Sequence, residues 1–276
     1  MKIAIIKGGS SPEREVSLNT AKAVETALMK LGYEVTSYDW DEKSVVENCH
    51  QLLDYDVVFV AYHGSYGEDG HVQAVLEMKG IPFTGSSFRG SVLAMDKMTS
   101  KRIFASLGLK IPAAFCYQED GEPDTKFLNN VINERLGGYP VIVKPVGSGS
   151  TIGLSYVEDI SGLPEALSAA IKESPHFIIE EYIPGREITV SILGDTPLPI
   201  VEIKPTERLY NYTCKYTKGK SQYICPADIP SETAEEIQND ALIAFKALGC
   251  EGYGRVDLRL DGKEAYFLEV NSLPGM

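Results

Sequence analysis

At 276 residues, 43% hydrophobic and 24% charged, the chain is long enough for two or three units with their own cores, and no apolar run approaches the roughly 20 residues of a membrane span. Its 39 acidic against 26 basic side chains give a formal charge of -13, which repels nucleic acid and anionic lipid, so any phosphate must be held by individually placed lysines and arginines. Five scattered cysteines (Cys49, Cys116, Cys214, Cys225, Cys250) without a C-x-x-C spacing argue against a disulfide framework and a zinc site, and fit a soluble protein of the reducing cytoplasm.

Met1 to Lys7 is too short before Gly8-Gly9 to be a signal peptide, and Ile3 to Ile6 predicts a strand buried on both faces. Ser11 with Pro12 then predicts a helix start, with Val16, Thr20, Val24, Ala27, Leu28 and Leu31 as its buried stripe up to Gly32. Val35 to Tyr38 and Val57 to Ala61 predict further strands, so the first third is expected to form a small parallel sheet with functional residues at the carboxyl ends of its strands. One turn there carries Glu13; another is His63-Gly64-Ser65-Tyr66-Gly67-Glu68-Asp69-Gly70. Taken alone, Glu13 also suits a helix dipole and His63 a backbone-bonded turn histidine, while Gly8-Gly9 lacks the third glycine of a dinucleotide fingerprint.

Met95-Asp96-Lys97 opens a predicted helix that runs to Leu107-Gly108, with a unit boundary expected near residue 95. Val141-Ile142-Val143-Lys144-Pro145 predicts a buried strand ending in a lysine, and the following Ser148-Gly149-Ser150-Thr151 loop exposes backbone N–H groups that can fold over phosphates. It is not a P-loop, because no Gly-Lys-Ser/Thr follows and the next element is a strand. Phe177 to Ile183 predicts a strand that turns acidic at Glu180, and Pro184-Gly185-Arg186-Glu187 breaks it before the next strand. The polar, aromatic stretch Tyr210 to Gly219 reads as a compact functional loop, and Thr233 to Leu248 as a helix.

In the last twenty-five residues, Arg255, Asp257 and Arg259 alternate with Val256, Leu258 and Leu260, and Ala265, Phe267, Glu269 and Asn271 alternate with Tyr266, Leu268 and Val270. A three-residue loop, Gly262 to Glu264, would pair Asp257 with Glu269, their Cβ atoms ~5 Å apart, with Asn271 one pleat along. Two carboxylates and an amide oxygen suit Mg2+. Alternation alone fits a solvent-facing polar stripe as well.

The ordered set of motifs resembles the D-alanine-D-alanine ligases of the ATP-grasp superfamily. The residues that carry it are Gly8 to Leu18, His63-Gly64 with Gly67-Glu68-Asp69-Gly70, Met95-Asp96-Lys97, Val143-Lys144-Pro145 with Ser150, Glu180 to Glu187, Tyr210 to Tyr216, Gly254-Arg255-Val256-Asp257 and Leu268-Glu269-Val270-Asn271. The resemblance runs from end to end. It implies an α/β ATP-grasp fold of three parts: a small parallel-sheet substrate-binding domain at 1–95, a central ATP-grasp subdomain at 96–182 and a C-terminal one at 183–276. The implied reaction joins two D-alanines through a D-alanyl phosphate at the expense of ATP, for peptidoglycan precursors.

By the same resemblance, Lys97, Lys144 and Lys215 hold phosphates under the Ser148, Gly149, Ser150 and Thr151 loop, and Glu180, Ile183 and Glu187 contact adenosine. Asp257, Glu269 and Asn271 bind two Mg2+, for which Mn2+ can substitute. Arg255 and the backbone N–H of Gly275 stabilise oxyanionic charge, Glu13 takes the ammonium of the first D-alanine, Ser150 and Tyr216 complete a hydrogen-bonded triad with Glu13, and Val16 and His63 line the substrate pocket. A homodimer through the first domain is implied. The family continues past the Leu-Pro-Gly-Met stretch, whereas this sequence stops at Met276, so part of the grip on the second D-alanine is expected to be missing. A truncated or catalytically silent nucleotide-binding form, or an acceptor such as D-lactate or D-serine, is the alternative.

Overall fold

In the computed structural model, residues 1–118, 123–147, 153–206, 217 and 219–276 are described. The chain opens with β1 (Lys2–Gly8), α1 (Arg14–Lys30), β2 (Glu34–Trp40), α2 (Glu42–Asn48) and β3 (Val57–Val60). These three strands form a parallel sheet in the order β2-β1-β3. Ile3, Ala4, Ile5 and Ile6 are all buried, as an unbroken apolar strand covered on both faces requires.

The first helix starts later than the Ser11-Pro12 pattern predicts. Ser11 is used elsewhere: its hydroxyl donates to the His63 carbonyl at 2.6 Å and accepts the Glu13 N–H, so Glu13 is the residue at the helix cap. The stripe also differs. Val16, Ser17, Thr20 and Ala21 are buried, whereas Leu31 is 72% exposed and Ala27 lies on the exposed face. The first two turns are the most deeply buried, Val24 and Leu28 of the expected stripe are partly buried against Ile5 and Ala61, and the small polar residues of the first turns have partners; Ser17, for instance, accepts the Gly8 N–H at 2.8 Å.

After α3 (His71–Met78), α4 (Phe88–Met95) and α5 (Lys97–Ser106) comes a second sheet. It is built from β4 (Ala114–Tyr117), β5 (Val141–Pro145), β6 (Ser155–Val157) and β7 (Phe177–Glu181), with α6 (Thr125–Arg135) and α7 (Leu163–Glu173) packed on it. The order is β4-β7-β5-β6 and every pairing is antiparallel.

The third sheet takes β8 (Arg186–Leu193), β9 (Thr196–Pro197), β10 (Val201–Pro205), β11 (Ser221–Ile224), β12 (Tyr253–Asp261) and β13 (Glu264–Asn271), with α8 (Ser231–Ala247) on one face. Its order is β11-β10-β8-β12-β13, with β9 paired to β8. Phe104 of α5 is buried in the core of this third sheet, so α5 leans on a sheet that lies far ahead of it in sequence. Leu273 returns in the opposite direction and joins the core of the first sheet.

The last hairpin corrects the expected route. Asp261 pairs with Glu264, leaving the two-residue loop Gly262-Lys263, and the register shifts between Asp257 and Leu258 so that Leu268 is skipped. That bulge supplies the odd residue the loop does not, and Asp257 still lies opposite Glu269. It also moves Phe267 off the polar face. Phe267 and Val270 are both buried, which strict alternation would place on opposite sides.

Candidate active site

On β5 and β7, Ile142 faces Glu180, which makes Lys144 and Glu180 diagonal neighbours on one face of the sheet. The Lys144 ammonium donates to Glu180 Oε1 at 2.6 Å. On the other side, Lys101 of α5 brings its ammonium to 3.0 Å from Oε2, an ionic contact rather than an aligned hydrogen bond. All three side chains are buried and Lys101 is 0% exposed. Lys101 is not among the residues the motifs pick out, since a lone lysine in an amphipathic helix normally reads as solvated.

Burial opposes ionisation of Glu180, but Lys101 and then Lys144 outweigh it and hold the carboxyl below its ordinary range. Burial likewise pulls the Lys101 ammonium down, against the attraction of Glu180. With a depressed folded value, Glu180 contributes stability that is fully present above about pH 4.5 and lost as pH falls through the depressed value. Glu180→Gln should therefore cost on the order of 3 kcal/mol at neutral pH, where it leaves two buried ammoniums without a counter-ion. Urea melts of both proteins at neutral pH and in acid check this: the gap should shrink in acid, and a constant gap would remove the charge argument.

Between β7 and β8 the turn Tyr182 to Gly185 is wrapped by Arg259 of β12. Its guanidinium donates to the carbonyls of Ile183 (3.0 Å) and Gly185 (3.0 Å) and to the Tyr182 hydroxyl (3.2 Å), and lies 3.4 Å from Glu187 Oε2. It also sits 5.4 Å from the Tyr182 ring centroid. Ile183 on this turn and Glu187 at the start of β8 are thus held by one arginine, whose only sequence signal is its place on the polar face beside Asp257.

On the hairpin, Arg255 grips Asp257 with two hydrogen bonds of 2.7 and 2.8 Å, and Thr189 donates to the same carboxylate at 2.8 Å. Lys97, the first residue of α5, lies 3.7 Å from Glu269 Oε2. Arg255 pairs with Asn271 across the strands, and the Asn271 amide oxygen accepts the Leu273 N–H at 3.2 Å. Among the described residues, no group of three His, Cys, Asp or Glu stands in position to hold a metal. The set here is two carboxylates and an amide, all hard oxygen donors on adjacent strands, which fits Mg2+.

In the first unit, His63 is buried with both ring nitrogens engaged by side chains: Thr20 Oγ1 at 3.0 Å and Glu68 Oε1 at 3.0 Å. This differs from a histidine bonded to turn backbone. Glu13 is buried against Gly64, whose φ is +75° and where a Cβ would stand 2.7 Å from Glu13 Oε2. A Cβ on Gly275 would meet Val16 at 3.6 Å, His63 at 3.9 Å and Thr20 at 3.9 Å, and the Met276 N–H donates to Thr20 Oγ1 at 3.3 Å. Val16, His63 and Gly275 therefore come together, and the segment after the hairpin brings Gly275 to the His63 turn against which Glu13 is buried. Thr20 is legible only as part of the buried stripe and Glu68 only as part of the turn motif; their shared partnership with His63 arises when α1 and the 63–70 turn meet. Ser148, Gly149, Ser150, Thr151, Lys215 and Tyr216 lie outside the described residues.

A small parallel sheet, two antiparallel sheets bridged by buried lysines, and an acid and amide hairpin define an ATP-grasp enzyme. Residues 103–276 match the family described as D-ala D-ala ligase C-terminus, and residues 38–86 match D-ala D-ala ligase N-terminus. A D-alanine--D-alanine ligase of Methylacidiphilum infernorum is 43% identical over 275 residues, covering 99% of this chain and 86% of the relative. That of Carboxydothermus hydrogenoformans is 40% identical over 281 residues, covering 100% and 89%. Among solved structures, the Bacillus anthracis D-alanine--D-alanine ligase complexed with ATP aligns with a TM-score of 0.84 at 32% identity, covering 100% of this chain and 87% of that one. The VanG D-Ala:D-Ser ligase of Enterococcus faecalis aligns with a TM-score of 0.82 at 29% identity, covering 99% and 90%. The chain belongs to the D-alanine–D-alanine ligase family. No helix among its described residues is long and apolar enough to cross a membrane.

Proposed function

We propose that this protein joins two D-alanines into D-alanyl-D-alanine, consuming ATP, as a cytoplasmic step in building peptidoglycan precursors. The observation that carries the reading is the juxtaposition of Gly275 with Val16 and His63, which sets the segment after the hairpin against the part of the first unit that buries the Glu13 carboxylate. The proposed division into 1–95, 96–182 and 183–276 is supported by each sheet falling within one of those ranges.

Glu13 receives the ammonium of the first D-alanine, and Val16 and His63 shape the wall around its methyl group. The carboxylate of that D-alanine attacks the γ-phosphorus of ATP, forming the acyl phosphate and releasing ADP. Lys97, Lys144 and Lys215 hold the phosphates, Ser148 to Thr151 cover them, and Ile183 and Glu187 take adenosine on the turn that Arg259 stiffens. Asp257, Glu269 and Asn271 would hold two Mg2+, which when bound would mask charge on the phosphates. The amine of the second D-alanine, after losing a proton, attacks the carbonyl carbon and expels phosphate. Arg255 and the Gly275 N–H then stabilise the oxyanion, while Ser150 and Tyr216 close over Glu13. Assembly as a homodimer through the first unit belongs to the same proposal.

The test is phosphate release from ATP and Mg2+ with D-alanine, alone or with D-serine or D-lactate, and chromatography of the products. D-alanyl-D-alanine as the main product is expected. ATP binding without D-alanine-dependent phosphate release would overturn the reading.

A further inference from the structure

Lys101 has no part in the mechanism above, yet it is among the largest fully buried side chains described, 0% exposed, with its ammonium 3.0 Å from Glu180 Oε2. It stands one helical turn after Lys97 on α5, so both ammoniums leave the same helix face. Lys97 reaches 3.7 Å towards Glu269 on the third sheet; Lys101 reaches Glu180 on the second. The helix itself is packed into the core of the third sheet through Phe104. Lys101 is thus a contact from an element of one half of the clasp to a carboxylate of the other.

The charge count explains why such a lysine is worth burying. Lys144 makes a 2.6 Å hydrogen bond to Glu180 Oε1. Were these two alone, the carboxylate would neutralise Lys144, and a phosphate would meet a closed ion pair. With Lys101 on the other oxygen, two ammoniums share one carboxylate and the cluster keeps a surplus positive charge in a dry site, where charge acts at its strongest.

We infer that Lys101 is a positioning residue for ATP: by occupying Glu180 from the α5 side, it leaves the charge of Lys144 available to nucleotide phosphate and fixes the second sheet against the third. The inference rests on the proposed phosphate role of Lys144, and the experiment separates the two.

Binding of a fluorescent ATP analogue is measured for the native protein, for Lys101→Met, for Glu180→Gln and for the double variant K101M/E180Q, with KM for ATP and for D-alanine alongside. K101M removes the surplus charge, whereas in E180Q Lys144 already has a neutral partner, and the single E180Q variant carries whatever adenosine contact Glu180 makes. K101M should bind the analogue ~10-fold more weakly than native protein with little change in KM for D-alanine, and adding K101M to E180Q should cost clearly less, a coupling that a packing role does not produce. If native protein fails to bind the analogue, the phosphate reading of the site is wrong. If native protein binds and K101M binds equally well, or K101M costs as much in the E180Q background as in the native one, the role of Lys101 is wrong. Should K101M not fold, E180Q and K101M/E180Q decide: similar binding by the two supports the inference, and a ~10-fold loss from the first to the second overturns it.

Discussion

Replacing Glu269 with glutamine should lower turnover by about 100-fold or more while moving the melting temperature by only a few degrees. The two expectations separate because of where Glu269 stands. It faces Asp257 across the last hairpin, on the polar side of two strands whose other side carries Val256, Leu258, Phe267 and Val270 into the core. Its side chain is 31% exposed and its contact with Lys97 is 3.7 Å, against 2.6 and 3.0 Å for the lysine contacts of the buried Glu180, so the fold draws less from its charge than from that of Glu180. A metal held there draws most of its affinity from that charge, because Mg2+ prefers anionic oxygens and a neutral amide of the same shape leaves one charge uncompensated. The assay is turnover against Mg2+ concentration: the variant should need more Mg2+ and reach a lower ceiling. An unchanged Mg2+ dependence would take Glu269 out of the metal set.

The hairpin also shows how far the site is legible in the sequence. That Asp257 and Glu269 share a face follows from parity, which requires one odd residue somewhere between them. Where that residue sits is not local information. The loop takes two residues, as Gly262 with φ +60° readily allows, and the odd one becomes a bulge at Leu268 because burial of both Phe267 and Val270 is worth more than unbroken alternation. Lys144 is legible for the opposite reason: a lysine closing the apolar run Val141-Ile142-Val143 has to be buried, and a buried lysine needs a partner. Lys101 and Arg259 are not legible. Each looks solvated along its own element; Lys101 becomes buried only when α5 meets the second sheet, and Arg259 partly buried only when β12 meets the 182–185 turn. The helix beginning at Arg14 misleads in the same way, since Ser11 has the chemistry of a cap but is taken by the carbonyl of His63.

Gly185→Ala should destabilise the protein by roughly 2–4 kcal/mol and weaken ATP binding with it. Gly185 has φ +98°, a left-handed backbone that disfavours any side chain, and an added Cβ would lie 2.3 Å from the Leu260 carbonyl oxygen, 3.1 Å from its carbon and 3.2 Å from the Asp261 Cα. All three neighbours are backbone of β12, so no side chain can swing away and the turn itself must lift. Lifting it pulls the Gly185 and Ile183 carbonyls from Arg259 and shifts Glu187 along with them. Gly194→Ala is the internal control: its φ is +60°, but nothing lies within 4 Å of the added Cβ, so it carries backbone strain of about 1 kcal/mol without the collision. Thermal melts and ATP titrations of both variants separate the contributions. Gly194→Ala should lose a few degrees and bind ATP normally, whereas Gly185→Ala should lose clearly more on both counts. Equal losses in the two would mean that the turn yields to a methyl group, and that Arg259 does not hold it where the nucleotide binds.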